Sequence, residues 1–141
     1  MKLKIVFDTN IYISAFAIPG GKAEEAYLQA IKRKFILCSS LAILAETAKK
    51  LKEKFDWSEG KITDLLKAIS KTATIVKTKP HIKVLTDDPD NRILECALKT
   101  KADHIVSGDK HLLSLKAFKG ISILSLSDFV RMINLDHLQK S

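Results

Sequence analysis

Apolar residues recur along this chain with two alternating rhythms, short continuous runs and longer stretches of helical spacing. Leu3 to Phe7 is a short apolar run interrupted only by Lys4, the pattern of a buried strand. Asn10 to Ile18 is helix-like and stops at Pro19-Gly20-Gly21. Lys22 to Lys34 places Ala23, Ala26, Tyr27, Ala30 and Ile31 on one helical face. Phe35 to Cys38 is a second short apolar run, and Ser39 and Ser40 offer caps for a helix to Phe55, with Leu41, Leu44, Ala45, Ala48 and Phe55 as its apolar stripe. Asp56-Trp57-Ser58-Glu59 has the D-x-x-E form of a capping box and predicts a helix through Lys71. Ala73 to Val76 reads as a strand and Pro80 to Asp87 as a connector. Asp88 as N-cap with Pro89 at the first helical position predicts a helix to Lys101. Strands follow at His104 to Val106 and Ile121 to Leu124, with a short helix from His111 to Phe118 between them. Ser127 is placed to cap a terminal helix that frays beyond Asn134.

Strands that alternate with helices imply a mostly parallel sheet covered by helices on both faces, an α/β fold. No repeat, low-complexity stretch or linker divides the sequence, so a single domain over residues 1–141 is expected. An apolar fraction of 46% against 28% charged residues excludes a disordered chain. No apolar run approaches the roughly 20 residues of a membrane span. The start, MKLKIVFD, enters a strand directly, without the pattern of a secretory leader. Cys38 and Cys96 stand apart in apolar contexts, as buried thiols of a reducing compartment do. Together these features predict a cytoplasmic protein.

Charge narrows the choice of partner. Lys and Arg number 24 against 16 Asp and Glu, a net +8 carried almost wholly by lysine, which favours a polyanion such as nucleic acid. A heat-adapted composition would also be rich in lysine.

Against that basic background, two apolar runs end in an acid. Val6-Phe7-Asp8-Thr9-Asn10 and Ile105-Val106-Ser107-Gly108-Asp109 put carboxylates at the carboxyl ends of two strands, where parallel α/β sheets bind ligands. Asp90 precedes Leu94 by four and Ala97 by seven, which sets it on the core-facing side of its helix, over the same sheet edge. Close carboxylates repel by roughly 4 kcal/mol per pair at about 4 Å and an effective dielectric of about 20. A cluster of them makes sense around a hard divalent cation. Each acid also has a purely structural reading: Asp8 and Asp109 as helix caps, Asp90 as an acid at the positive end of a helix dipole, with Asp87 as its substitute if the register slips. Glu46 lies off the apolar stripe of its helix, four residues before Lys50, and by spacing alone reads as half of a surface ion pair.

Four segments in order, Val6-Phe7-Asp8-Thr9-Asn10, Leu44-Ala45-Glu46, Asp90-Asn91-Arg92-Ile93-Leu94-Glu95-Cys96-Ala97 and Ala102-Asp103-His104-Ile105-Val106-Ser107-Gly108-Asp109-Lys110-His111-Leu112-Leu113, resemble the successive motifs of PIN-domain proteins, and within them the VapC-like ribonucleases of toxin–antitoxin pairs. The resemblance spans residues 3–130. It implies a three-layer α/β/α sandwich around a central, mostly parallel sheet. It also implies a ribonuclease dependent on Mg²⁺ or Mn²⁺, held by Asp8, Glu46, Asp90 and Asp109, so Glu46 joins the acids by resemblance and not by spacing. Asn10 and Ser107 fall on polar positions beside the ligands; the family often has Thr where Ser107 stands. A homodimer and an antitoxin partner are implied as well, and Ala23, Ala26, Tyr27 and Ala30 are a candidate contact face, with packing on the sheet as the alternative.

Metal-assisted phosphodiester hydrolysis is the expected chemistry, with lysines at the mouth, Lys110 the nearest in sequence, holding RNA phosphates. His81, His104, His111 and His137 lack ligand spacing. A catalytically silent PIN-like module that binds RNA or protein is the alternative, but its mark would be a missing acid, and none is missing. A phosphohydrolase with Asp8 as nucleophile would need a second acid where Asn10 stands.

Overall fold

The computed structural model describes residues 2–140, and the side chains of residues 2–135. Its strands are β1 (Lys4–Phe7), β2 (Ile36–Ser40), β3 (Thr74–Val76), β4 (His104–Val106), β5 (Ala117–Phe118) and β6 (Ile121–Leu124). Its helices are α1 (Thr9–Ala17), α2 (Lys22–Ile31), α3 (Leu41–Phe55), α4 (Glu59–Thr72), α5 (Asp88–Thr100), α6 (Lys110–Leu115) and α7 (Leu126–Lys140). The six strands form one sheet in the order β3-β2-β1-β4-β6-β5, parallel throughout except for β5, which runs antiparallel to β6.

Central β1 shows why the fold needs helices on both faces. Ile5, Val6 and Phe7 point alternately to opposite sides of the sheet, and all three are fully buried. Phe7 sits in an aromatic cluster with Tyr12 of α1, Phe35 and Phe129 of α7, at ring separations of 5.7–5.9 Å. The tilted and edge-on geometries of these pairs suit the ring quadrupoles. Tyr27 of α2 extends the cluster through Tyr12 and Phe16. α5 packs on β1 to β4. This is the expected α/β/α arrangement around a mostly parallel sheet.

Several local expectations are corrected. The capping residue of α4 is Ser58, whose Oγ accepts from the Lys61 amide, and not Asp56. Asp56 ends α3 in the left-handed region (φ 53°), a conformation that Asp tolerates better than most residues. At α5 the cap position belongs to Asp87, and Asp88 and Pro89 lie inside the first turn. At α7 the cap is Ser125, whose Oγ accepts from the Asp128 amide, and not Ser127; the helix runs on past Asn134 to Lys140. The short helix after β4 stops at Leu115. Ala117 and Phe118 instead pair with β6, because Lys119 and Gly120 both adopt positive φ (49° and 84°), as a two-residue hairpin turn requires.

α3 is rotated from the expected stripe. Ile43, Leu44, Thr47 and Leu51 are its buried residues, whereas Leu41 and Phe55 are half exposed. Ala23, Ala26, Tyr27 and Ala30 of α2 are buried within the chain, so they cannot supply a contact face; Ile18, Leu28 and Ile31 are the large apolar residues left exposed nearby. Cys38 and Cys96 are buried free thiols, as expected, and burial pushes the Cys96 thiol up to about 12. Among the described residues no helix is long and apolar enough to cross a membrane.

Candidate active site

The strand order reverses direction between β1 and β4: the chain winds outward from β1 through β2 to β3, then crosses to β4 on the other side. Such a switch point leaves a crevice at the carboxyl ends of the two neighbouring strands. Asp8 and Asp109 follow those two strands. The Asp8 amide donates to the Val106 carbonyl at 3.0 Å, so the ladder continues one step beyond β1 and fixes the residue's backbone.

Ser107 ties the two acids together. Its Oγ donates to Asp8 Oδ2 at 2.6 Å and accepts from the Asp109 amide at 2.9 Å, and the serine is completely buried. Asp8 is itself buried and caps α1 only loosely, Oδ1 lying 3.4 Å from the Asn10 amide. Burial pushes its carboxyl above the usual range, opposed by the Ser107 hydrogen bond. Asp109 takes the capping role that its sequence position suggested, with one carboxylate oxygen left over. Oδ1 caps α6 by accepting from the His111 and Leu112 amides at 2.8 and 3.0 Å, while Oδ2 has no hydrogen-bond partner among the described residues.

Asp90 enters from α5, on the core-facing side as its spacing predicted. It is only 6% exposed, and its Oδ2 is buried with no hydrogen-bond partner. Burial first, then the charges of Asp109, Asp87 and Asp8, push its carboxyl up to about 7. An oxygen left in this state is costly unless something positive meets it.

Glu46 is not brought into this group. It stands half-buried on α3, with no hydrogen-bond or ion-pair partner among the described residues, so the expected surface pair with Lys50 is absent too. Among the described residues no three acids, cysteines or histidines lie close enough to hold an ion as they stand. The donors nonetheless fit a divalent cation in kind: hard carboxylate oxygens, one of them orphaned and buried, on a backbone that Ser107 holds in place. Lys110 is exposed at the start of α6, beside Asp109.

Three residues of the site region escaped the sequence reading. Lys50 leaves its expected partner and turns to the acids, its Nζ 3.4 Å from Asn10 Oδ1. Asn91, fully buried, clamps Leu85 by accepting from its amide at 2.9 Å and donating to its carbonyl at 2.8 Å. Glu95, also fully buried, accepts from the His81 and Ile82 amides at 2.6 and 2.8 Å and pairs with Arg92 at 2.7 Å. The signal was there in polar residues on the buried face of α5, at positions 91 and 95.

Comparison with known proteins agrees with this fold. The PIN domain profile matches residues 4–111. The uncharacterized protein MJ1680 of Methanocaldococcus jannaschii is 32% identical over 120 residues, covering 82% of this chain and 77% of that protein. The structure of VapBC2 from Rickettsia felis, bound to a DNA fragment from their promoter, has a TM-score of 0.61 at 13% identity, covering 87% of this chain and 98% of that one. PAE2754 from Pyrobaculum aerophilum has a TM-score of 0.62 at 14% identity, covering 95% and 90%. The PIN domain endonuclease Utp24 has a TM-score of 0.55 at 21% identity, covering 86% and 84%. At these identities the structural likenesses speak for the fold, and the profile speaks for the sequence: this chain belongs to the PIN-domain family.

Proposed function

We propose that the protein is a metal-dependent endoribonuclease that hydrolyses RNA phosphodiester bonds at the crevice between β1 and β4. The observation that carries this reading is the buried Ser107 hydroxyl, which links Asp8 to the Asp109 backbone, together with the buried, orphaned Oδ2 of Asp90 on α5. Asp8, Asp90 and Asp109 would hold Mg²⁺ or Mn²⁺, and the family resemblance adds Glu46 of α3 as a fourth ligand. When bound, the cation would neutralise the phosphate and make the attacking water more acidic.

The chain's own groups do the rest. Ser107 keeps Asp8 Oδ2 in one orientation, so the carboxylate is aimed before any substrate arrives. A carboxylate oxygen not engaged in ion binding accepts the proton of the attacking water. Lysines hold the backbone: Lys110 stands next to Asp109, and Lys77, Lys79 and Lys99 border a hollow of about 430 Å³ beside α5. Such contacts suit a polyanion and would make binding fall with salt.

Likeness to VapBC2 supports a finer reading, in which the chain is the toxin of a toxin–antitoxin pair and meets a cognate antitoxin protein in the cytoplasm. A homodimer is part of the same proposal, with exposed Ile18, Leu28 and Ile31 as its apolar contacts. The direct test is incubation with single-stranded RNA, with Mn²⁺ or Mg²⁺ and with EDTA. Cleavage that survives EDTA would sink the metal mechanism. Binding without cleavage under every metal condition would favour a silent RNA-binding module.

A further inference from the structure

Among the described residues, Lys50 is a cationic side chain hydrogen-bonded to Asn10, the residue that neighbours the Asp8 carboxylate. It lies on α3 three residues after fully buried Thr47 and seven after Ile43, so its stem follows the inward edge of the helix and is half-buried. Its Nζ is 3.4 Å from Asn10 Oδ1, and Asn10 is the residue whose amide meets Asp8 Oδ1. The ammonium is thus held one residue away from the Asp8 carboxylate. Yet among the described residues it forms no ion pair within 4 Å with any carboxylate; its hydrogen bond goes to a neutral amide. An ammonium in this position offsets like-charge repulsion without being committed to one acid, and it can leave without breaking a salt bridge.

We propose that Lys50 is a resident counter-charge of the acidic crevice: it compensates Asp8 and Asp90 in the cation-free protein, and a divalent cation binds against its repulsion. The inference rests on the proposed reading of these acids as cation ligands, and it makes Lys50 a positioning residue that sets ion affinity. A lysine of this kind has two consequences of opposite sign. Removing its charge destabilises the apo protein, because carboxylate repulsion is left uncompensated, and strengthens ion binding, because one positive charge fewer opposes the incoming ion.

The test titrates the full chain with Mn²⁺ alone by calorimetry and follows thermal melting at pH 8 with and without the ion. The variants are Lys50→Met and Lys50→Gln, which remove the charge, and Lys50→Arg, which keeps it. The expected result for Met and Gln is Mn²⁺ affinity raised about tenfold, a lower apo Tm and a larger Tm gain on adding Mn²⁺; Arg should behave as wild type in all three. If wild type binds Mn²⁺ and the charge-removing variants bind it equally or more weakly, the counter-charge role is overturned while the cation site stands. If neither wild type nor the variants bind Mn²⁺, the cation site itself fails and takes this inference with it.

Discussion

Replacing Asp90 by Asn tests the electrostatics of the crevice without relying on catalysis. The carboxyl titrates at about 7 in the folded chain against an ordinary 3.8, so the folded state binds this proton more tightly than the unfolded chain does. The stability associated with the protonated group is therefore complete below pH 3.8 and is lost as the pH rises through about 7. At about 1.4 kcal/mol per pH unit the gap corresponds to an upper bound of roughly 4 kcal/mol, and water drawn in by the ionised group reduces it to about 2–4 kcal/mol. Asn is nearly isosteric and stays neutral, so Asp90→Asn removes the cost above pH 7 and leaves the acid end unchanged. For a chain of this size each kcal/mol moves Tm by roughly 3–4 °C. The variant should melt about 6–15 °C above wild type at pH 8 in EDTA and within a few degrees of it at pH 4. Millimolar Mn²⁺ should narrow the gap at pH 8, because wild type gains from the ion and the variant gains less. A Tm difference that is the same at both pH values, or a variant that melts lower at pH 8, refutes the account of Asp90.

Other outcomes follow from the same geometry. Asp8→Asn should leave the fold intact by circular dichroism and lower RNA cleavage by orders of magnitude in a fluorogenic assay; wild-type rates would remove Asp8 from the mechanism. Ser107→Ala loses one buried and one partly buried hydrogen bond and should cost about 1–3 kcal/mol in urea melts as well as activity, whereas Ser107→Thr keeps the hydroxyl and should retain both. Asp109→Asn keeps the Oδ1 that caps α6 while removing a charge, so its apo Tm should rise; a fall would show that capping outweighs repulsion. Light scattering at micromolar concentration should report a dimer that Leu28→Glu disrupts; a strict monomer rules the dimer out.

The sheet and the sites of Asp8, Asp90 and Asp109 were legible because each depends on local patterns: short apolar runs, an acid at each strand end, and the four- and seven-residue spacing of α5. What failed depended on the register of α3. A stripe drawn through Leu41 and Phe55 looks as apolar as one through Ile43 and Leu51, and only packing of Thr47 against the core decides between them. The stripe through Leu41 and Phe55 set Glu46 off the apolar face, and four-residue spacing then paired it with Lys50 on the surface. The caps went astray for a related reason: Asp56 and Ser58 both satisfy cap chemistry, and a left-handed backbone at Asp56 selects the serine. Glu46 remains the residue for which resemblance and geometry give different pictures.

The connector before α5 has no regular secondary structure, yet it is not free to move as a lid. Asn91 and Glu95 stand one helical turn apart on α5 and grip it at Leu85 and at His81 and Ile82, with Arg92 adding a bond to the Ile82 carbonyl. Opening this strap would strand a buried carboxylate and a buried amide, so the strap and the helix should open as one cooperative unit. In hydrogen exchange the amides of His81, Ile82 and Leu85 should then be as protected as those in the middle of α5, unlike an ordinary loop. Asp90, at the start of that helix, inherits the rigidity, and adjustment around a bound ion falls to the α3 side of the crevice.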